Sequence, residues 1–478
     1  MSEAQAPRPS SGSDFDLVII GAGPGGYVAA VRAAQLGMRV ACVEKQYLGG
    51  TCLNVGCIPS KALLDSSERF HTARNVLPRH GITAQSVTFD LGVLMKRKDE
   101  VVKQNTNGVA YLFKKHKIEH VIGAGRITAP DTVEVKPNGQ GQPRTLRGRN
   151  LLIATGSAPV QLPGLPFDGK NVLSSTEALT LDVVPKKMVV VGGGYIGVEM
   201  GSVWARLGSE VLILEFFDRA LPNMDREMAG QLQRLLEKLG MKFRFKAAAE
   251  SARAEGGKVK VAWTSDGGKE RGVEECDKVM VAVGRRPVTE GLGLQEVGVE
   301  IDKKGFVKVD GHFRTNVPGV WAIGDVIGGV MLAHKAEEEG IAAAEIMAGK
   351  FGHVDYHTIP AVVYTHPELA QVGFTEEDAK AAGHELRVGK FPFSANGRAR
   401  AMGETDGLVK VIADAKTDRV LGVHILGPHA SDMIHEAVAA MTYHASAEDI
   451  ARSNHAHPTL CEAIKEAALA VDKRAIHI

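Results

Sequence analysis

The chain has 478 residues, enough for several domains with sizeable hydrophobic cores. Its 57 Lys and Arg residues against 56 Asp and Glu leave a formal net charge of +1, so no overall charge favours nucleic acid or an anionic membrane as a partner. No apolar run has the length of a membrane span, and residues 1–14 are polar without the apolar core of a signal peptide, so we expect a cytoplasmic protein with a disordered lead-in.

The first organised stretch predicts a strand, a glycine loop, a helix and a second strand. The strands are expected over Phe15–Ile20 and 39–43, and the Ala-rich helix over 27–36. The loop has the G-x-G-x-x-G spacing, formed by Gly21, Gly23 and Gly26. Such glycines permit a tight turn and let a pyrophosphate approach the helix N-terminus. Glu44, 18 residues after the last glycine, can accept hydrogen bonds from a ribose diol, so the whole unit predicts a dinucleotide site.

Two of the five cysteines, Cys52 and Cys57, lie just beyond this unit. Four residues separate them, so one wide helical turn could bring the sulfurs within disulfide reach. The helix-prone run 62–64 follows, which places the pair at or near a helix N-terminus, where unpaired N–H groups favour a thiolate. We interpret the pair as a redox-active dithiol. The alternatives are a structural disulfide or two buried thiols, and a long chain with few cysteines and no secretory signal disfavours the former.

The dinucleotide pattern repeats near residue 188. Strands are predicted over 188–191 and Glu210–Leu214, with a helix over 198–207 that contains Glu199. The second loop again has the G-x-G-x-x-G spacing, formed by Gly192, Gly194 and Gly197. Glu215 follows the second strand and favours NAD over NADP, because a carboxylate would repel a ribose phosphate and no basic pair follows it. We expect the nearby Arg219 to be a salt-bridged surface residue.

The other segments carry fewer motifs. Residues 66–120 predict helices with polar faces, 126–150 a hairpin-like segment, and 336–348 a helix. Strands are expected before the small turn at 155–157, over 277–283 and before Asp325. From residue 360 an α+β region is expected, with strands over 408–412 and 420–426 and helices over 432–443 and Ala447–Arg452.

A histidine and a glutamate stand five apart near the end of the chain. Pro458, directly after His457, suits the first turn of a helix, and across that start Glu462 could reach back to one imidazole nitrogen. A carboxylate-held histidine is a good acid–base pair near neutral pH, and a dithiol substrate must lose a proton before it attacks. A metal site that includes His455, or plain packing, is the alternative; no further ligand cluster is evident, so no metal site is predicted.

Taken in chain order, the four motifs resemble those of the flavin disulfide reductases, the class I pyridine nucleotide-disulfide oxidoreductases. The resemblance extends from Phe15 to the end of the chain. The ending 58–61, Ile-Pro-Ser-Lys, is most similar to members that oxidise dihydrolipoyl groups. The resemblance implies an α/β fold with two Rossmann-like dinucleotide-binding domains plus a C-terminal α+β dimerisation domain. The implied domains are FAD-binding (15–157), NAD-binding (158–286), a central segment that completes the FAD site (287–357) and a dimerisation or interface domain (358–478).

The resemblance also implies cofactor contacts. For FAD they are Gly21, Gly23, Gly26, Glu44, Lys61, Gly125, Thr155, Gly156, Ser157, Asp325, Met331, Leu332, Ala333 and His334. For NAD they are Gly192, Gly194, Gly197, Glu199, Glu215 and Gly284. Asp325 is expected to hold the ribityl hydroxyls, and Lys61 to lie against the flavin ring. Val330 stands where the family pattern has proline, which concerns the stiffness of the loop more than the chemistry.

The reaction implied by the resemblance is oxidation of protein-bound dihydrolipoyl groups with NAD. The substrate thiolate would attack Cys52, Cys57 would lie nearer the flavin, and His457, oriented by Glu462, would accept the proton. In the family this pair reaches the disulfide of the other subunit, which implies a homodimer. The expected partners are the lipoyl domains of 2-oxo acid dehydrogenase complexes or the glycine cleavage carrier protein.

Two other functions remain open. A glutathione- or mercuric-type reductase of the same architecture would draw electrons from NADPH; Glu215 and the lack of a terminal cysteine pair speak against it. A non-catalytic FAD-binding scaffold would not need the dithiol or the histidine–glutamate pair.

Overall fold

The structure is a computed structural model that describes residues 13–478. The predicted lead-in falls almost entirely on residues 1–12, which lie outside the described residues. The chain divides into two compact units. Unit 1 comprises residues 13–62, 95–160 and 285–354, and unit 2 comprises residues 63–94, 161–284 and 355–478.

The strands, in chain order, are β1 (Phe15–Ile20), β2 (Val40–Glu44), β3 (Glu119–Ile122), β4 (Ala124–Ala129), β5 (Thr132–Lys136), β6 (Arg144–Ile153), β7 (Ser157–Pro159), β8 (Val172–Leu173), β9 (Lys187–Val191), β10 (Glu210–Leu214), β11 (Lys242–Arg244), β12 (Ala247–Glu255), β13 (Lys258–Ser265), β14 (Glu270–Cys276), β15 (Lys278–Val281), β16 (Arg285–Pro287), β17 (Val320–Ala322), β18 (Ala361–Val363), β19 (Glu368–Gly373), β20 (Leu386–Pro392), β21 (Leu408–Asp414) and β22 (Val420–Gly427).

The α-helices are α1 (Pro24–Gln35), α2 (Gly50–Val55), α3 (Cys57–Asn75), α4 (Leu91–Lys115), α5 (Ser175–Ala178), α6 (Tyr195–Arg206), α7 (Arg226–Lys238), α8 (Ala333–Met347), α9 (Glu376–Ala381), α10 (Gly397–Met402), α11 (Ala430–Thr442), α12 (Ala447–Arg452) and α13 (Glu462–Val471). Short 3₁₀ turns lie at Leu77–His80, Asp266–Gly268, Gly324–Ile327, Tyr356–Thr358 and Phe393–Ala395. Within residues 13–478, no helix combines the length and apolarity that crossing a bilayer requires.

Unit 1 is organised by a parallel sheet in the order β3-β2-β1-β6-β17. The first half of β6 also belongs to an antiparallel meander with β5 and β4. The inner strand β1 is apolar on both faces because both faces are buried: Val18 and Ile19 have no exposed surface. Parallel strands place their carboxyl ends on one edge of the sheet, and the chain leaves β1 there at the first glycine loop.

Unit 2 contains a second parallel sheet, in the order β11-β10-β9-β15-β8. It also contains a three-stranded antiparallel sheet, β12-β13-β14, and a five-stranded antiparallel sheet, β18-β19-β22-β21-β20. Helices α11, α12 and α13 pack their buried apolar side chains into one core with the five-stranded sheet.

The predicted α/β class, with two parallel nucleotide-type sheets and an α+β region at the end, is confirmed. Three local predictions were incomplete or wrong. The strands β12 to β14 were not predicted, because polar residues interrupt them on their exposed face and leave no long apolar run. Residues 66–120 were predicted as helices but end in β3. Pro458 lies in a loop, since α13 begins only at Glu462.

Candidate active site

The first glycine loop is shaped to bring an anion to the N-terminus of α1. Gly21 has φ +104°, and a Cβ there would lie 2.4 Å from the carbonyl oxygen of Ala154. A Cβ at Gly26 would lie 1.9 Å from the carbonyl oxygen of Gly21, so the helix packs against the loop at a distance only glycine allows. Within residues 13–478 no side chain caps this helix at Gly23, which leaves its first N–H groups for a phosphate.

Glu44 braces the first loop at the end of β2. Its Oε2 accepts a hydrogen bond from the N–H of Ala22 at 2.8 Å, and its Oε1 accepts one from the N–H of Gln46 at 2.7 Å. Each carboxylate oxygen has a further lone pair, so the side chain can still accept a ribose hydroxyl. The residues present therefore fit a dinucleotide such as FAD at this loop.

The second glycine loop repeats this construction in unit 2. Gly192 has φ +105° with a Cβ position 2.4 Å from the carbonyl oxygen of Ala282, and the Cβ position of Gly197 lies 2.0 Å from the carbonyl oxygen of Gly192. Among the described residues, no atom lies within 4 Å of the Cβ position of Gly194, so the loop faces open space. This geometry fits a second dinucleotide.

Glu215 occupies the position of Glu44 in this second unit. It is 5% exposed and accepts hydrogen bonds from the N–H groups of Gly193 and Phe217. Glu199, predicted to contact NAD, is buried in α6, and its Oε1 accepts the N–H of Tyr364 at 2.9 Å. Arg219 forms the expected surface ion pair, with Glu377 at 3.1 Å.

The two cysteines lie on either side of a break between α2 and α3. Cys52 is in α2 and Cys57 is the first residue of α3, so the pair lies at or near a helix N-terminus, as predicted. Both cysteines are half-buried. Gly56 makes the break, and a Cβ there would lie 2.9 Å from the carbonyl oxygen of Thr51. The hydrogen bond between the two thiols, and next burial, raise the pKa of Cys52. The two sulfurs are therefore close enough to share a proton and, on oxidation, to be joined as a disulfide.

Charged and polar groups surround the Cys52 thiol. The positive charge of Lys61 acts to lower the pKa of Cys52, while the negative charge of Glu337 acts to raise it. The hydroxyl of Tyr27 donates a hydrogen bond to Glu337 at 3.4 Å, and burial, followed by the Glu337 charge, raises the pKa of Tyr27 to about 12. Tyr27 and Glu337 could not be recognised from the sequence, because they are 310 positions apart and no local spacing links them.

Asp325 lies in the 3₁₀ turn Gly324–Ile327 after β17. Its carboxylate accepts a hydrogen bond from the hydroxyl of Ser157. Arg285 donates from Nε to the Ser157 hydroxyl at 2.7 Å and from Nη2 to the Ser157 carbonyl at 2.6 Å. Burial lowers the pKa of Arg285 despite the nearby charge of Asp325. Ser157 and Asp325 were both predicted as FAD contacts, but Arg285 was not predicted. The only sequence signal for Arg285 is its position as a cation inside a Gly-Arg-Arg-Pro turn.

The remaining predicted FAD residues all lie in unit 1. Gly125 is buried in β4, Thr155 donates from its hydroxyl to the carbonyl of Val288 at 2.6 Å, and Gly156 has φ +69°. Met331 and Leu332 lead into α8, which begins at Ala333 and His334.

The His457 imidazole and the Glu462 carboxylate are in direct contact. Nδ1 of His457 lies 2.9 Å from Oε1 of Glu462, and Oε2 accepts the N–H of Thr459 at 2.7 Å. Although burial acts to raise it, these two hydrogen bonds hold the pKa of Glu462 below its ordinary value. Because a carboxylate faces Nδ1, that nitrogen carries the proton and Nε2 is left as a base. The His457 side chain is 79% exposed, so Nε2 is accessible.

His455 lies in different surroundings from His457. Its side chain is 8% exposed, Nδ1 faces the carbonyl of Ser453 at 3.0 Å, and Nε2 faces Oε1 of Glu436 at 2.8 Å. Both ring nitrogens are thus occupied, and the residue anchors the loop before α13. Glu436 also contacts Cys461, where burial, then this carboxylate, raises the pKa of the thiol.

Comparisons with known proteins, by family model, by sequence and by structure, all lead to one family. Residues 15–340 match the family described as pyridine nucleotide-disulphide oxidoreductase, and residues 359–468 match the dimerisation domain of the same family. The chain is 53% identical over 471 residues to dihydrolipoyl dehydrogenase, mitochondrial, from Pisum sativum, covering 98% of this chain and 94% of the relative. It is 54% identical to dihydrolipoyl dehydrogenase 1, mitochondrial, from Arabidopsis thaliana, covering 98% and 93%. The crystal structure of LpdA from Mycobacterium tuberculosis superimposes with a TM-score of 0.88 at 27% identity, covering 95% of this chain and 98% of that one.

Proposed function

The chain belongs to the pyridine nucleotide-disulphide oxidoreductase family, and from this premise we propose that it is a dihydrolipoyl dehydrogenase. It uses FAD and NAD to oxidise dihydrolipoyl groups to lipoyl groups. The observation that carries the proposal is an adjacent Cys52–Cys57 pair together with a histidine held by Glu462, in a chain more than half identical to curated dihydrolipoyl dehydrogenases over almost its whole length.

The dithiol takes two electrons from the substrate by disulfide exchange. With Cys52 and Cys57 joined as a disulfide, a substrate thiolate attacks the Cys52 sulfur, forms a mixed disulfide and releases Cys57 as a thiolate. The second substrate thiol loses its proton and attacks the first substrate sulfur, which closes the lipoyl disulfide and releases Cys52. When bound, FAD supplies the path by which this electron pair reaches NAD. The Cys57 hydrogen bond and burial raise the pKa of Cys52, and the positive charge of Lys61 opposes them by favouring the thiolate.

The first glycine loop, Glu44 and Asp325 are the residues proposed to hold FAD. The uncapped N-terminus of α1 would receive the pyrophosphate, and Glu44 and Asp325 would accept ribose and ribityl hydroxyls. In unit 2 the loop at 192–197 and Glu215 would hold NAD by the same contacts. A carboxylate at the ribose position disfavours the additional phosphate of NADP.

His457 is the proposed base for the substrate thiols. Glu462 fixes the tautomer with the proton on Nδ1 and stabilises the imidazolium that forms when Nε2 takes a proton. The high exposure of this side chain and the match to a dimerisation domain support a homodimer in which His457 serves the dithiol of the partner subunit.

The lipoyl domains of 2-oxo acid dehydrogenase complexes, or the glycine cleavage carrier protein, are proposed as partners. The domain boundaries 15–157, 158–286, 287–357 and 358–478 are likewise proposals. For location, the sequence interpretation favours the cytoplasm, whereas the names of the pea and Arabidopsis relatives include mitochondrial. Subcellular fractionation distinguishes the two compartments.

An assay of NAD reduction by dihydrolipoamide tests the function. The FAD-loaded protein should form NADH, with kcat/KM at least about tenfold lower for NADP because of Glu215. A glutathione- or mercuric-type reductase would show no dihydrolipoamide turnover but would oxidise NADPH with its own substrate. A non-catalytic scaffold would bind FAD and turn over none of these substrates.

A further inference from the structure

Helix α8 carries a fully buried ion pair directly beneath the turn that presents Asp325. The ammonium of Lys335 lies 3.0 Å from Oε1 of Glu339, and the two side chains are 2% and 0% exposed. The residues are one helical turn apart, so they face the same side of α8. Neither has a part in the disulfide exchange described above.

Both charges hold the backbone of the turn. Oε2 of Glu339 accepts the N–H of Gly324 at 2.7 Å. Nζ of Lys335 donates to the carbonyl of Gly324 at 3.3 Å and to that of Gly328 at 2.7 Å. Gly324 and Gly328 have φ +77° and +85°, so the turn begins and ends at glycines with positive φ. Glycine itself has little preference for any one backbone conformation, so other contacts must hold the turn in this shape.

Burying two charges is expensive, and an apolar pair of similar volume often gives equal or higher stability. Stability alone therefore does not explain why this position carries Lys and Glu. What an apolar pair would not supply is the set of three hydrogen bonds to the turn at 324–328. Those bonds hold the backbone on both sides of Asp325, whose carboxylate also accepts the Ser157 hydroxyl.

We propose that Lys335 and Glu339 are positioning residues for FAD binding, because they clamp the turn that presents Asp325 to the cofactor. This inference rests on the proposed function, in which Asp325 binds the flavin. It assigns to the pair a role in flavin affinity that is separable from its role in folding.

The test is to dilute the purified FAD-loaded protein and to measure the release of FAD by the recovery of its fluorescence. Glu339→Gln and Lys335→Met each remove charge-assisted hydrogen bonds to the turn and should raise the dissociation constant for FAD by about 10- to 100-fold. The matched control is Glu345→Gln, in the same helix, which breaks an ion pair with Arg32 and does not touch the turn. It should release FAD as the unaltered protein does.

The double variant Lys335→Met, Glu339→Leu separates positioning from stability. It leaves no lone buried charge, so the thermal unfolding temperature of the FAD-free protein should lie above those of the two single variants, while FAD affinity stays low. If a folded double variant bound FAD as tightly as the unaltered protein, the inference would be overturned. Absence of FAD binding by the unaltered protein would instead overturn the proposed function.

Discussion

The dithiol and the His457–Glu462 pair are the two proposed chemical centres of this chain, and they lie in different surroundings. Cys52 is half-buried, and its pKa is raised by Cys57 and by burial. The imidazole of His457 is largely exposed, while its orienting carboxylate is fixed by a backbone N–H. The partly buried thiols thus hold each other in the protonated form, whereas the imidazole and its carboxylate form a complete pair within unit 2 that is open to solvent.

Removing a cysteine should have the largest effect of any single change. Cys52→Ser and Cys57→Ser each eliminate disulfide exchange, so dihydrolipoamide turnover should fall by at least about 10³-fold. The two variants should differ in spectrum. The Cys52 variant should keep the long-wavelength absorption of a thiolate beside oxidised flavin, since Cys57 remains, and the Cys57 variant should lose it. The opposite pattern would reverse the roles of the two sulfurs.

Replacing the base should have the next largest effect. His457→Gln removes the proton acceptor and should lower lipoamide turnover by about 10²- to 10⁴-fold. Reduction of the flavin by NADH should stay nearly unchanged, because that step does not use the histidine. His455→Gln is the control: its buried ring has both nitrogens occupied, so turnover should fall far less. Equal losses in the two variants would contradict the assignment of the base.

Removing only the orienting charge should cost less. Glu462→Gln keeps an oxygen that can face Nδ1 of His457 but removes the stabilisation of the imidazolium, so turnover should fall by about 10- to 100-fold. Reduction of the flavin by NADH should stay nearly unchanged in this variant. Unchanged dihydrolipoamide turnover would show that the carboxylate does not act on the histidine.

A third histidine, His424, bears on the stability of unit 2 rather than on its chemistry. His424 in β22 is fully buried, and burial lowers its pKa to about 4. The unfolded chain binds a proton there below about pH 6.5, while the folded chain stays neutral until about pH 4. Stability should therefore fall as the pH drops through this window, by up to about 3 kcal/mol.

The check is the thermal unfolding temperature as a function of pH. His424→Gln keeps a donor for the carbonyl of Phe374, which Nε2 of His424 contacts at 3.1 Å, and should flatten part of the decline between pH 6.5 and pH 4. The pKa values of Asp225 and Glu376 are also depressed in the folded protein, so stability is lost as these carboxylates are protonated. The unfolding temperature of the variant should therefore still decline toward low pH, but less steeply. Parallel curves for the variant and the unaltered protein would contradict a buried neutral His424.

The sequence was informative wherever the chemistry is local. The glycine loops, Cys52 with Cys57, and His457 with Glu462 each lie within a few residues of one another, so their spacing carries the geometry. Contacts built by the fold could not be derived in this way. Arg285 reaches Ser157 across 128 positions of sequence, and Glu436 in α11 reaches His455 in the loop before α13. The Lys335–Glu339 pair has helical spacing, but its burial beneath a distant turn is decided by packing.

In the proposed homodimer, the dithiol of one subunit works with the histidine of the other. Mixing Cys52→Ser protomers with His457→Gln protomers tests it, since a hybrid dimer would contain one intact site and one doubly damaged site. With free exchange, half of the dimers are hybrids, and activity should return to about a quarter of that of the unaltered protein. If mass spectrometry verifies the exchange and no activity returns, His457 acts on the cysteines of its own chain, and the account of the dimer is wrong.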